Sequence, residues 1–522
     1  MSPEFQRILD SKREMRRTLA ARPIAVKLRM VEELSERALA ARKDTAPAPP
    51  DAPWPIPTHW HWRRMSDVSS IVGGGTPRTD RPEYFGGDVP WITPADLSKY
   101  EAKIISRGRR NITVEGLANS GAQILPKGTV LFSSRAPIGY VAIAANPVAT
   151  NQGFKSFALH DEVIPDFVYY YLQRAKDLVV SLASGTTFLE ISGKKAAQIP
   201  IPVPPIPEQR RIVAEIEKQF TRLEAGVAAL KRVQANLKRY RAAILKAACE
   251  GRLVPTEAEL ARKKPETRNL KPEFETGEQL LARILAERRK HWLARRSLGD
   301  GGTGKGKYKE PATTGTTGLP KLPEGWCCAT VEQLNLANRP CAYGVLQPGD
   351  DLQDGIPFVR VGDINDGKLD TSNLKMISPV IAAQYPRTKL QGGELAITLV
   401  GAIGRTAIIP DSLAGGNTAR AVGIVPLSKL LSAHWVEIWF RNPRKIAEMT
   451  AKSHEVARKT LNLEDVRAAS VALPPLAEQT RIVAEVERRL SVVDELEAVV
   501  TANLQRASRL RKSTLQTAFT GG

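Results

Sequence analysis

Pro204-Pro205-Ile206-Pro207-Glu208-Gln209-Arg210-Arg211-Ile212-Val213-Ala214-Glu215-Ile216-Glu217 occurs twice in this chain. The second copy reads Pro474-Pro475-Leu476-Ala477-Glu478-Gln479-Thr480-Arg481-Ile482-Val483-Ala484-Glu485-Val486-Glu487. The offset is 270, and it still holds where Leu245, Ala248 and Gly251 meet Leu515, Ala518 and Gly521. A self-match at fixed spacing means a duplicated unit. Upstream the match weakens and the offset drifts. Pro90-Trp91-Ile92 with Asp96-Leu97 faces Pro357-Phe358-Val359 with Asp363-Ile364, Ala136-Pro137-Ile138-Gly139 faces Gly401-Ala402-Ile403-Gly404, and Trp60 faces Trp326. Each unit thus has a divergent front part and a closely matching back part. The matching parts hold one geometry twice, and the divergent parts are suited to contacting two different things.

The back parts read as long helices. Proline is tolerated just before and at a first helical turn, and Glu208 there suits the positive end of the helix dipole. Ile216, Phe220, Leu223, Val227, Leu230 and Leu237 follow in a 4-3 alternation, broken by Gln234 and Arg241. The second copy runs Val486, Leu490, Val493, Val500, Leu504 and Leu510, broken by Glu497. A period near 3.5 is that of a coiled-coil seam. From Glu208 to Lys246 such a helix is a rod of roughly 58 Å. It cannot bury its stripe alone, so the two copies are expected to pair antiparallel, related by a pseudo-twofold repeat.

The front parts are α+β. Val130–Phe132, Tyr140–Ala144, Leu395–Leu399 and Thr406–Ile409 read as strands, and Asp166–Leu182 and Ala433–Met449 as single helices. The organisation expected is an N-terminal helical segment at 1–50, a front domain at 51–203, a spacer helix at 204–250, a basic linker at 251–320, a second front domain at 321–473 and a second spacer helix at 474–522. The linker carries a short basic helical pattern from Phe274 to Arg296 and then a Gly/Thr-rich run.

Composition narrows the function. Of the 522 residues, 42% are hydrophobic and 25% charged, as in an ordinary globular protein. The longest uncharged stretch, Ala136–Phe154, is interrupted by Pro137, Gly139 and Pro147 and makes a poor membrane span, and the start at Met1 has no apolar signal core. The cysteines Cys249, Cys327, Cys328 and Cys341 lack metal or redox spacing and read as thiols of a reduced, cytoplasmic protein. The net charge is +21, and residues 201–320 hold 25 basic against 14 acidic side chains. Such a surplus favours a polyanionic partner, nucleic acid first. Catalytic patterns are missing. Gly299–Lys305 has phosphate-loop spacing, but Gly306 stands where a magnesium-binding hydroxyl belongs. Gly73–Pro77 reads as a loop, and His59 and His61 as exposed loop residues. Neither a G-x-S-x-G elbow nor the Asn/Asp-Pro-Pro-aromatic tetrapeptide of amino-methyltransferases is present. No cofactor is expected, and a binding protein is favoured over an enzyme.

With the twin blocks at 204–213 and 474–483, the chain resembles the specificity subunits of Type I restriction–modification systems over nearly its whole length. Further landmarks are Leu322–Trp326, the looser Ile56–Trp60, Gly74-Gly75-Thr76-Pro77, Tyr84–Trp91 and Ser133–Gly139. The second front part departs by lacking the Gly-Gly-Thr-Pro loop and by having Ala402 in place of Pro137. The resemblance implies two target-recognition domains, each reading one half of a split double-stranded DNA sequence, and a helical ruler setting the gap. It implies no catalysis by the chain itself, and partnership with two methyltransferase subunits and two motor–nuclease subunits. DNA-contacting candidates are Arg78, Arg81, Arg107, Arg109, Arg110, Arg135 and Lys155 in the first domain. In the second they are Arg339, Arg360, Arg387, Lys389, Arg405, Arg420, Arg458 and Lys459. Trp91 and Phe358 are expected in the core. The alternative is a coiled-coil scaffold that binds only proteins.

Overall fold

The computed structural model describes residues 52–135, 137–185, 189–263, 274–297, 308–313, 321–336, 339–365, 367–453 and 459–520, with Glu14, Val26 and Arg29. The N-terminal segment, the Gly299–Lys305 decoy and Arg458 therefore lie outside the described residues, apart from those three positions. The chain divides into two compact units, Met1–Val233 with Val499–Gly522, and Gln234–Ala498. Each comprises one front part and stretches of two long helices, Ile206–Cys249 and Leu476–Ala518.

In the first unit the chain enters on β1 (His61–Arg64) and continues into β2 (Ser69–Gly73), β3 (Trp91–Ile92), β4 (Ile104–Ile105), β5 (Val130–Phe132), β6 (Val141–Ala144), β7 (Ala149–Thr150) and β8 (Lys155–Leu159), leaving on β9 (Pro200–Val203). A five-stranded sheet has the order β2-β8-β5-β6-β4; β3 pairs with β7 in parallel and β1 with β9 antiparallel. Side chains alternate across the sheet. Val130 and Phe132 join Phe157, Phe167, Tyr171, Ile216, Phe220, Leu515 and Phe519 in the larger core, while Leu131 points the other way into Ile92, Leu97 and Phe154. The helix expected over Asp166–Leu182 is two, Pro165–Arg174 and Lys176–Ser181, with a break at Ala175 (φ −82°, ψ 5°).

The second unit repeats the plan. Its strands are β10 (Cys327–Thr330), β11 (Ala342–Tyr343), β12 (Ile356–Val359), β13 (Lys375–Ile377), β14 (Leu395–Thr398), β15 (Thr406–Ile408), β16 (Asn417–Thr418), β17 (Val422–Val425) and β18 (Ser470–Leu473). The sheets are β11-β17-β14-β15, β13-β12-β16 and the pair β10-β18. Here too one expected helix is two, Ala433–Arg441 and Pro443–Ala451, because Asn442 leaves helical geometry and its side chain caps the second helix at Arg444 N. Part of the expected linker is folded onto this unit. Helix Glu257–Lys263 is tied by Glu257 to Arg481, and helix Gly277–Ser297 buries Leu280 and Ile284 and sends Arg288 to Glu332 and the Asn335 carbonyl.

The recurring Glu-Gln pair fastens each front part to its helix. Gln209 Nε2 donates to the carbonyls of Pro204 and Glu162 (both 2.8 Å), and its Oε1 accepts from Ile164 N at 3.0 Å. Gln479 repeats this with the Pro474 carbonyl and Ser432 N, both at 2.9 Å. Buried Glu478 accepts from Trp326 Nε1 at 2.9 Å, and Glu208 is bonded to His59 Nε2 at 2.9 Å with Trp60 beside it. So the motif is an attachment device, which is why it survives where the front parts diverge.

The long helices run in opposite senses where they touch within each unit. In the first, Thr514 reaches Gln219 and Arg511 reaches Glu224. Of the twelve expected seam residues, Ile216, Phe220, Leu223, Leu230, Leu237, Val486, Leu490, Val493, Val500 and Leu510 are buried, and Val227 and Leu504 half-buried. In the second unit two polar breaks of the stripe meet, with Arg241 donating to Glu497 at 3.0 Å and to Asp494, which Lys368 also holds. Burial pushes the Asp494 carboxyl up, but the hydrogen bonds from Lys368 and Arg241 outweigh it and hold it below its ordinary value. Its contribution is therefore full above pH about 4 and lost as pH falls below that. Arg241→Ala is expected to cost about 1–3 kcal/mol at neutral pH by removing the guanidinium shared by two carboxylates that lie side by side on one helix. Chemical denaturation at pH 7 and pH 3 checks this, the difference between wild type and variant shrinking at the lower pH.

Candidate nucleic-acid interface

At one end of each sheet several loops lie side by side. In the first unit β2 ends at Gly73, and the chain then runs against the segment after β7, with Gly75 N donating to Thr150 O at 2.9 Å. A Cβ on Gly74 would overlap the Asn151 and Thr150 carbonyls, so only glycine permits this approach. Beyond β5, Ser134 N donates to Gly153 O at 2.8 Å, and Ile191 N donates to Ser134 O at 3.0 Å. Asn151 N donates to Ile92 O at 3.0 Å. Five segments, around residues 74, 92, 134, 152 and 190, therefore lie side by side.

The second unit builds the same edge. Val345 N donates to Thr418 O at 2.7 Å, Ala419 N to Val359 O at 2.9 Å, Leu399 N to Ala421 O at 2.8 Å, and Leu461 N to Leu399 O at 2.8 Å. Gly401 N donates to Lys459 O at 3.1 Å, and Val400 bridges Thr460 as Arg135 bridges Glu190. A Cβ on Gly344 would overlap the Thr418 carbonyl. Gly344 thus takes the place of Gly74, although the rest of the Gly-Gly-Thr-Pro loop is missing.

Both edges carry a short turn closed by a carboxylate. Asp96 accepts from Thr93 N (2.8 Å) and Thr93 Oγ1 (2.7 Å), and Asp363 accepts from Arg360 N at 2.7 Å. Each aspartate also takes an arginine, Arg109 Nε at 3.1 Å in the first and Arg360 Nη2 at 2.9 Å in the second. Burial alone would raise the Asp96 carboxyl, but hydrogen bonds from Thr93 and Arg109 hold it below its ordinary value.

The remaining candidates divide by what they touch. Arg135 and Lys155 converge on Glu190, at 3.7 and 3.8 Å. Arg110 stacks 3.5 Å above the Phe85 ring. Arg78 pairs with Asp80 at 2.8 Å and Arg81 with Glu83 at 3.5 Å, both well exposed, and Arg107 is exposed. In the second unit Arg420 and Lys459 are exposed on the edge, and Arg405 reaches Asn365 Oδ1 at 3.1 Å. Arg387 and Lys389 are exposed on the turn that follows Tyr385. Arg339 differs. Its side chain is 13% exposed and is taken up by buried Glu394 and the Lys389 carbonyl, which makes it a structural tie. Trp91 and Phe358 are buried, and Trp91 Nε1 donates to Gly75 O at 3.0 Å, which pins the glycine loop.

Sequence reasoning passed over Thr76 and Gln152, which bond each other on the first edge, and Glu190 and Gly344. Glu190 and Thr460 do stand at the 270 offset, a signal present but unused. Among the described residues there is no cluster of three His, Cys, Asp or Glu side chains fit for a metal, and no helix is long and apolar enough to cross a membrane. Burial pushes the Cys249, Cys327 and Cys341 thiols up to about 12, far from reactive thiolates.

Comparison with known proteins fits this duplicated frame. Residues 57–231, the first front part and the start of its helix, match the family model for the Type I restriction modification DNA specificity domain. The chain is 29% identical over 467 residues to the EcoBI specificity subunit of Escherichia coli, covering 89% of this chain and 86% of that one. The chain thus carries a Type I restriction modification DNA specificity domain and is similar over most of its length to Type I restriction enzyme specificity subunits. The MjaIX specificity subunit of Methanocaldococcus jannaschii is 44% identical over 159 residues, 30% of this chain and 37% of that one. A chain solved in work on assembly and conformational transition of the type I R-M system shares the fold. It superimposes with a TM-score of 0.58 at 17% identity over 90% of this chain and all of its own.

Proposed function

We propose that this chain is the sequence-specific DNA-recognition subunit of a Type I restriction–modification complex, and that its two sheet-end edges each read one half of a bipartite target. The observation that carries this is the same five-segment edge built twice, with Arg135, Lys155, Glu190 and Gln152 on one copy and Arg405, Arg420 and Lys459 on the other. Similarly hydrogen-bonded edges carry the two readers, and unlike side chains give them different sequences. Phosphate contacts position a reader and base-edge contacts specify the sequence. The exposed arginines and lysines of both domains serve the first task throughout and the second where an arginine meets guanine. Arg339 is excepted, because its charge is spent on Glu394.

The long helices act as the ruler, an antiparallel coiled coil with pseudo-twofold symmetry that fixes the gap between half-sites. The contacts of Arg511 with Glu224 and of Arg241 with Glu497 support that pairing. The chain performs no catalysis. It recruits two methyltransferase subunits and two motor–nuclease subunits, and the assembly works in the cytoplasm. Co-expression with a cognate methyltransferase subunit, followed by genome-wide mapping of modified adenines, tests the reading. Modification confined to one split motif with a fixed gap is expected; modification at an unsplit motif, or none from a stable complex, overturns it.

A further inference from the structure

On the first edge a carboxylate sits among cations. Glu190 is half-exposed, with Arg135 Nη1 3.7 Å from Oε2 and Lys155 Nζ 3.8 Å from Oε1. Both separations exceed a hydrogen bond, and among the described residues nothing donates to either oxygen. Neither cation takes up a lone pair of these oxygens by a hydrogen bond. The local chain pairing is made without the side chain. The backbone of Glu190 makes the local pairing, with Ser184 N to Glu190 O at 3.1 Å and Glu190 N to Ser184 O at 3.0 Å, and exposed ion pairs add little stability. A surface built only to grip phosphate would be better without this charge, since it repels the backbone and offsets one of two cations. The matching position of the second edge holds Thr460, beside Lys459.

An acceptor-only group aimed outward from a DNA-reading edge has a distinct use. Carboxylates read the exocyclic amino group of cytosine in the major groove. We infer that Glu190 is a specificity-determining residue of the first domain that accepts from a cytosine N4 amino group, with Arg135 and Lys155 as positioning residues that hold its carboxylate and screen it from neighbouring phosphates. This rests on the reading of the edges as DNA readers given above.

The test uses the full chain assembled with its methyltransferase subunits, on duplex libraries randomised one position at a time across both half-sites. Glu190→Gln replaces one acceptor oxygen by a donor. The expected result is a 10- to 100-fold loss of preference for a C·G pair at one position of one half-site, with the other half-site unchanged. A uniform rise in affinity for all sequences with no change in preference would overturn the inference, because Glu190 would then act only by charge. So would relaxation confined to an A·T position. Should Glu190→Gln not fold by circular dichroism, Glu190→Thr, carrying the side chain of position 460, is read the same way. Wild-type complex with no split-sequence preference would instead sink the DNA-reading proposal itself, so the two failures are told apart.

Discussion

Gly344→Ala is expected to lower modification of the target by about 100-fold while the long helices stay folded. The added Cβ would overlap the Thr418 carbonyl and the Ala419 backbone, and no flexible side chain is there to yield. Relief requires the segment after β11 to move away from that after β16, which displaces Arg420, whose backbone N–H is bonded to Val345 O at 2.9 Å. A misplacement near 1 Å costs on the order of 100-fold in rates that depend on positioning. Gly74→Ala should do the same through Asn151 in the first unit. Methylation rates of the assembled complex, with far-ultraviolet circular dichroism as the folding control, check both. Gly121→Ala is the comparison, since a Cβ there meets nothing within 4 Å. Wild-type rates in Gly344→Ala would show that the close backbone approach is not part of reading.

The largest stability effect is expected from Phe519→Ala, at about 3–5 kcal/mol. Phe519 is fully buried, with its ring centroid 5.0 Å from Phe167 and 5.5 Å from Tyr171, both edge-on. It closes the first unit's larger core, and Trp54 Nε1 donates to its carbonyl at 2.9 Å. Truncation removes the ring from water-free surroundings that cannot collapse around helix Pro165–Arg174. Hydrogen exchange read by mass spectrometry on peptides of the first unit, with those of the second as internal reference, gives the opening free energy of each. A change under about 1 kcal/mol would mean that the end of the second long helix is dispensable to that core.

The helices were legible because a 3.5 period and a proline-marked start leave little choice over forty residues. The breaks in the front-part helices were less so. Asn442-Pro443 is a sound capping signal, but the helical pattern of Ala433–Met449 was read straight across it, and the break at Ala175 has no marker. The pair β1-β9 was missed because Pro200 and Pro202 argue against a strand; a two-stranded ribbon leaves outward N–H positions that proline can occupy. Gly344 was hidden because it stands alone, without the neighbours that mark Gly74. Arg339 was read as a surface cation because its partner Glu394 is 55 residues away, and burial of that kind comes from tertiary contact. Glu190 shows the converse limit. Searching for a polyanion's partner looks for positive charge, and a carboxylate in a basic edge is passed over.

The ribbons β1-β9 and β10-β18 have one more consequence. The chain enters and leaves each front domain on adjacent strands, with His61 opposite Val203 and Cys327 opposite Leu473. Neighbouring strands are about 5 Å apart, so the chain enters and leaves each domain of some 140 residues at almost one point, whatever surface the domain also packs on. Two genetic crossovers, one before β1 and one after β9, would transplant a whole reader without changing a residue of the rod that carries it. New recognition can then be acquired by grafting instead of by point mutation, and a graft that ends on the Glu-Gln clasp would dock as the original did.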